Sequence, residues 1–160
     1  MFKIKKDVSA ILSLILAYLA LVGIGIIAAV IPFFSKFLLD VFFVVEISEI
    51  GRIMFIIFFY IALIPVTAAD VLLIRLLGNV RRSEIFTASA VSKLRCISWC
   101  CFAECLILMG GGIGFFQSFG FPRTFLIFAF AAAFLGIVLR VVKNVIEEAV
   151  AIKSENDYTI

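Results

Sequence analysis

Apolar positions along the 160-residue chain gather into four long continuous runs. Neither the three-four spacing of a water-facing helix nor the strict alternation of a half-buried strand describes them. A helix needs roughly 20 mainly apolar residues to cross the hydrocarbon of a bilayer. Four segments meet that length, at about Ser9–Phe34, Ile53–Leu77, Leu94–Phe116 and Thr124–Val142. In lipid only helices and closed barrels satisfy their own backbone, and a barrel needs short alternating strands. The pattern therefore predicts an all-α fold: an integral membrane four-helix bundle in one domain, 1–160, with a helical tail over 143–160.

The breaks in the runs carry the next layer of information. Pro32 falls near the far end of the first run, where a lost hydrogen bond costs least, and Pro65 and Asp70 interrupt the second. The connection Ser35 to Arg52 is amphipathic, with Phe37, Phe42 and Phe43 beside Asp40, Glu46 and Glu49. It either lengthens the flanking helices or lies in the interface. Gly78-Asn79 reads as a helix C-cap, and Thr87 as the N-cap of a helix leading into the third span. The short stretch Gln117 to Arg123 makes the third and fourth helices antiparallel neighbours.

Composition strengthens this reading. Apolar residues make up 65% and charged residues 16%, too few polar groups to cover a water-facing surface. The net charge of +3 is no nucleic-acid footprint. Lys3, Lys5 and Lys6 resemble the start of a signal peptide. The uncharged run from Val8 to Ser35 is far longer than an h-region of about 7–15 residues, which predicts a retained first helix.

Lys and Arg set the expected orientation. The N-terminal segment, the connection with Arg75, Arg81, Arg82, Lys93 and Arg95, and the end with Arg140, Lys143 and Lys153 together hold eleven, against Lys36, Arg52 and Arg123 on the other side. Both termini are therefore expected in the cytoplasm, with the chain in the cell membrane.

Few side chains offer chemistry. Glu104 lies about ten residues into its span, where an ionised carboxylate costs several kcal/mol and must pair, protonate or face water. It either handles protons or cations, or is a carboxyl held neutral between helices. Asp70, Arg75 and Arg140 lie at a similar cytoplasmic depth and complete a candidate intramembrane polar cluster with Glu104, although Arg75 and Arg140 can also snorkel to headgroups. Cys96 and Cys100 share a face at i,i+4, as do Cys101 and Cys105. Structural zinc sites gather Cys or His from two elements. The four Cys here read as small packing residues, with Cys96 open to palmitoylation.

Gly110, Gly111, Gly112 and Gly114 predict close approach of the third helix to the fourth, whose Ala129/Ala133 and Ala132/Gly136 are small-xxx-small pairs. The chain has no His, no nucleophile–base arrangement and no phosphate-cradling loop. No enzyme activity, metal or cofactor is expected.

Two segments carry a family resemblance. The loop Gly78-Asn79-Val80-Arg81-Arg82-Ser83-Glu84-Ile85-Phe86-Thr87, running on to Ser92-Lys93-Leu94-Arg95, is one. The other is the tail from Ile146 to its end Glu155-Asn156-Asp157-Tyr158-Thr159-Ile160. Both resemble bacterial four-span membrane proteins of domain-of-unknown-function family 2975, over essentially the whole chain. Members of that family are often encoded beside a small helix-turn-helix protein. The resemblance thus implies a membrane partner for a transcription regulator, without direct nucleic-acid contact.

Val142, Val145, Ile146, Ala149, Val150 and Ile152 form a helical stripe that either docks a partner or packs on the inner loop of the same chain. In the second case Glu147, Glu148 and Glu155 face Arg81, Arg82 and Lys93. The expected partner-binding residues are Arg81, Arg82, Phe86, Lys93, Arg95, Glu147, Glu148 and Asp157. The expected function is non-catalytic regulation or interaction through loop and tail. The alternative is a small transporter or ion-conducting homo-oligomer using Glu104 and Asp70.

Overall fold

A computed structural model describes residues 6–42, 48–81, 87–119 and 123–157. These form α1 (Lys6–Phe42), α2 (Glu49–Arg81), α3 (Ala88–Phe119) and α4 (Arg123–Asp157). The shortest has 32 residues and the longest 37. At about 1.5 Å per residue they extend roughly 48–56 Å, well past the hydrocarbon thickness. All four are long and apolar enough to cross a membrane, and the chain is a multi-pass membrane protein.

Each helix exceeds the apolar run that predicts it. Hydropathy marks only the stretch suited to hydrocarbon, whereas backbone hydrogen bonding continues until something breaks it. Within the segment Ser35 to Arg52, α1 continues to Phe42 and α2 begins at Glu49, while 43–47 lie outside the described residues. The expected C-cap at Gly78-Asn79 is corrected: α2 runs through both to Arg81. A glycine inside a helix costs only about 1 kcal/mol, which neighbouring hydrogen bonds readily outweigh.

Thr87 does cap α3, its hydroxyl accepting from the Ala90 N–H at 3.3 Å. Ser48 performs the same service for α2, accepting from the Gly51 N–H at 3.3 Å. Both satisfy a donor that the first helical turn leaves unpaired.

Pro32 lies inside α1 and has no N–H to give the carbonyl four residues earlier, that of Ala28. The hydroxyl of Tyr60, on α2, donates to that carbonyl at 2.8 Å. The break in α1 thus becomes a bond between helices. Tyr60→Phe should lower stability by about 1 kcal/mol, read as the unfolding midpoint in a denaturing-detergent titration. An unchanged midpoint would show that the carbonyl finds another donor.

The helices pack in chain order, α1 on α2, α2 on α3 and α3 on α4. The bonded pairs show antiparallel neighbours. Arg52 reaches Ser35 while Tyr60 reaches Ala28, and Arg95 reaches Glu147 while Ser98 reaches Gly136. The start of α1 therefore shares one end of the molecule with the end of α4. α3 and α4 form the most extensive seam, and no comparable seam joins α1 to α4.

Small residues set the closest approaches. The buried Ser98 hydroxyl donates to the Gly136 carbonyl at 2.9 Å. A methyl group on Gly136 would lie 3.3 Å from Cys101 Cβ and from the Phe102 ring. Within the glycine run, Gly111 takes the Phe58 ring of α2 against its Cα. The expected close packing of α3 on α4 holds, since these two share the most extensive seam, but within the run Gly111 serves another helix. Gly111 seats α2, and it is Gly136 that brings α4 to α3.

Buried residues make up only 11% of the most apolar stretch of α1 and of α2, 22% in α3 and 17% in α4. Large apolar side chains such as Leu19, Ile64, Leu106 and Phe130 are exposed. In water that surface would drive aggregation; in lipid it meets a solvent as apolar as itself.

Candidate functional site

A concavity opens between α1 and α4. Its volume is about 730 Å³, its walls come from all four helices, and it is partly open to the surroundings. At one end Leu39, Phe55 and Phe125 are buried together, with Leu38, Phe58 and Phe59 packed against them. The Phe58 and Phe125 rings lie 5.5 Å apart, tilted by 41°. α1, α2 and α4 converge at this aromatic plug.

The cavity runs from the plug toward Ile27, Val66, Glu104 and Leu135. From Phe125 to Leu135 is ten residues of α4, about 15 Å at helical rise. Among the described residues, Glu104 is the sole lining residue with a charged or hydrogen-bonding side chain. It sits midway along α3. Counting outward from the contact of Phe58 with Gly111, Pro65 of α2 lies level with it. Its Oε2 is buried without a hydrogen-bond partner among the described residues, as is Oδ2 of Asp70. A buried polar group left unpaired costs about 1–3 kcal/mol, more where no water can reach it.

The four residues of the expected polar cluster are not joined by hydrogen bonds or ion pairs among the described residues. The Arg140 guanidinium lies over the Trp99 ring at 4.9 Å and near the Phe102 ring at 5.8 Å. Both residues are exposed, where a contact of that kind is worth about 0.5–1 kcal/mol, and Arg with Trp is a pair suited to the headgroup level. Arg75 is exposed on α2. Glu104 lies five residues past Trp99, roughly 7.5 Å farther along α3.

The four cysteines are unbridged. Cys96 is exposed, and Cys101 places its Cβ against Gly136, a packing role.

At the end that holds the start of α1 and the end of α4, Arg95 pairs with Glu147 at 3.3 Å, and Lys143 also meets Glu147. Glu147 therefore finds Arg95 and its own helix neighbour Lys143. Lys93 instead donates to Ser89 at 2.9 Å. Glu148 is exposed. Arg82 and Phe86 lie outside the described residues, while Arg81 and Asp157 are the terminal residues of α2 and α4.

At the opposite end Glu49 binds Arg52 at 2.8 Å and Lys36 at 3.6 Å, and Arg52 reaches the buried Ser35 hydroxyl at 3.4 Å. Sequence reasoning did not find this knot. The signal was present in the i,i+3 spacing of Glu49 and Arg52, but the register of α1 on α2 decides which charges meet.

No curated protein and no solved structure shows a match to this chain. A family model described as "Protein of unknown function (DUF2975)" matches residues 11–160, and the chain belongs to that family.

Proposed function

We propose that this protein is a non-catalytic membrane component that presents the end of α4, beside the start of α3, to a protein partner in the cytoplasm. The observation that carries this reading is the continuity of α4 over 35 residues. At roughly 52 Å it outruns the hydrocarbon by about 20 Å, so its last turns stand clear of the bilayer as helix. Arg95 and Glu147 hold that extension to α3.

Val141, Val145 and Ile152 are exposed, with Glu148 between them, and together they form one face at helical spacing. The stripe expected from the sequence is thus divided. Ile146, Ala149 and Val150 are half-buried, whereas Val145 and Ile152 are free to meet a partner helix. The excess of Lys and Arg at this end supports a cytoplasmic placement of both termini. The family resemblance makes a small helix-turn-helix regulator the expected partner.

The test is co-purification of the full chain with such a regulator encoded beside its gene. The double variant Val145→Asp, Ile152→Asp should reduce recovery at least tenfold, since each buried aliphatic contact contributes about 1.5–3 kcal/mol. Membrane insertion should be unchanged, because both side chains are exposed. Equal recovery from both proteins would overturn the reading.

A second reading, a small transporter or ion-conducting oligomer, draws support from Glu104 in the cavity wall. Reconstituted flux that vanishes in Glu104→Gln would favour it.

A further inference from the structure

We propose that the cavity between α1 and α4 is a binding site for a single-chain lipophilic amine, its apolar body along the phenylalanine walls and its nitrogen on the Glu104 carboxyl. Three observations converge on this ligand class. A volume of about 730 Å³ falls within the range of small-molecule sites, about 300–1,000 Å³. The cavity is elongated, about 15 Å from Phe125 to Leu135 at helical rise. It is also polarised, with an aromatic plug at one end and one carboxyl at the other.

Glu104 decides the head group. Its Oε2 is buried and unpartnered, and no basic side chain lines the cavity. Arg140, on the neighbouring helix, is occupied by Trp99 and Phe102. A neutral chain alone, such as a lipid tail, would fill the apolar volume and leave the carboxyl unsatisfied. An anionic head group would meet an acid with no cation beside it. An amine supplies both a hydrogen bond and the opposite charge, and the bond persists whichever partner holds the proton. The partly open wall between α1 and α4 gives a path for such a ligand from the bilayer.

The experiment measures thermal stability of the purified full-length protein in a neutral maltoside detergent against dodecylamine and dodecanol. Both probes share a chain length and partition into the micelle, so the difference between them reports the head group. In the native protein dodecylamine should raise Tm saturably, at concentrations at least tenfold lower than dodecanol needs. Glu104→Gln should remove that tenfold preference while keeping any effect of dodecanol. Ala132→Phe, which fills the cavity, should remove the response to both probes.

Native mass spectrometry on the same samples provides a measure independent of folding stability. One dodecylamine should remain bound to the native chain and be lost from Ala132→Phe. Equal potency of amine and alcohol in the native protein would mean that the cavity takes acyl chains generally, and the proposal fails. An amine preference that survives Glu104→Gln also overturns it, because the nitrogen then binds elsewhere.

Discussion

Replacing Gly111 with leucine should lower stability by about 3 kcal/mol, the upper part of the range for overpacked cores. The reason lies across the α2–α3 seam. Phe58 places its ring where a Cβ on Gly111 would stand. That ring cannot simply swing away, because Phe125 lies against it at 5.5 Å. Relief therefore has to come from moving α2 away from α3, which opens the seam along neighbouring turns. Gly110 provides the control, since a Cβ there meets nothing within 4 Å. Gly110→Ala should stabilise by up to about 1 kcal/mol through helix propensity alone, while Gly111→Ala should destabilise. Denaturing-detergent titrations of the three variants measure this. Adding Phe58→Leu should recover part of the Gly111→Leu loss. If Gly110 and Gly111 responded alike, Phe58 would not be seated as described.

Glu104→Leu should act in the opposite direction and raise stability by about 1–3 kcal/mol. The substitution removes a buried oxygen without a hydrogen-bond partner and puts a side chain of similar size against apolar walls. Leaving such a group unpaired costs about that amount, and exchanging it for an apolar group recovers it. The same titration reads the effect as a higher unfolding midpoint. A lower midpoint would mean that Glu104 holds the helices together through a partner, which is the structural alternative to a ligand site. A residue that weakens the fold where leucine would strengthen it is the expected mark of a site kept for function. The midpoint and the amine preference thus test one carboxyl in two independent ways.

Much of the architecture was legible from the chain because hydrocarbon imposes a simple rule. Four apolar runs of sufficient length became four helices, and the family resemblance in the segments about Gly78–Arg95 and Ile146–Ile160 matches a family that covers residues 11–160. Thr87 was readable as an N-cap because capping is local: a side chain bonds a backbone group three residues away. Helix ends were less legible. Gly78 and Asn79 have the chemistry of a terminus, yet α2 continues through them to Arg81.

The candidate site was half legible. Glu104 stood out as an acid within an apolar run, and the cavity that gives it a setting did not. Its walls come from residues of four helices whose lateral arrangement no linear pattern contains. The same limit applies to Arg140, which shares its sequence depth with Asp70 and Arg75 but lies over Trp99.

What the sequence by itself determined is the number of helices, that each is long enough to span a membrane, and the capping of α3. Each follows from hydropathy or from contacts within a few residues. Only the tertiary structure decided that Gly111 serves α2 and Gly136 serves α3, that Tyr60 takes the carbonyl freed by Pro32, and that a cavity beside Glu104 separates α1 from α4. The physical reason is that lipid is indifferent to which apolar face meets it. Hydropathy therefore says little about the rotation and pairing of the helices, which depend on small residues and a few polar bonds meeting across the seams.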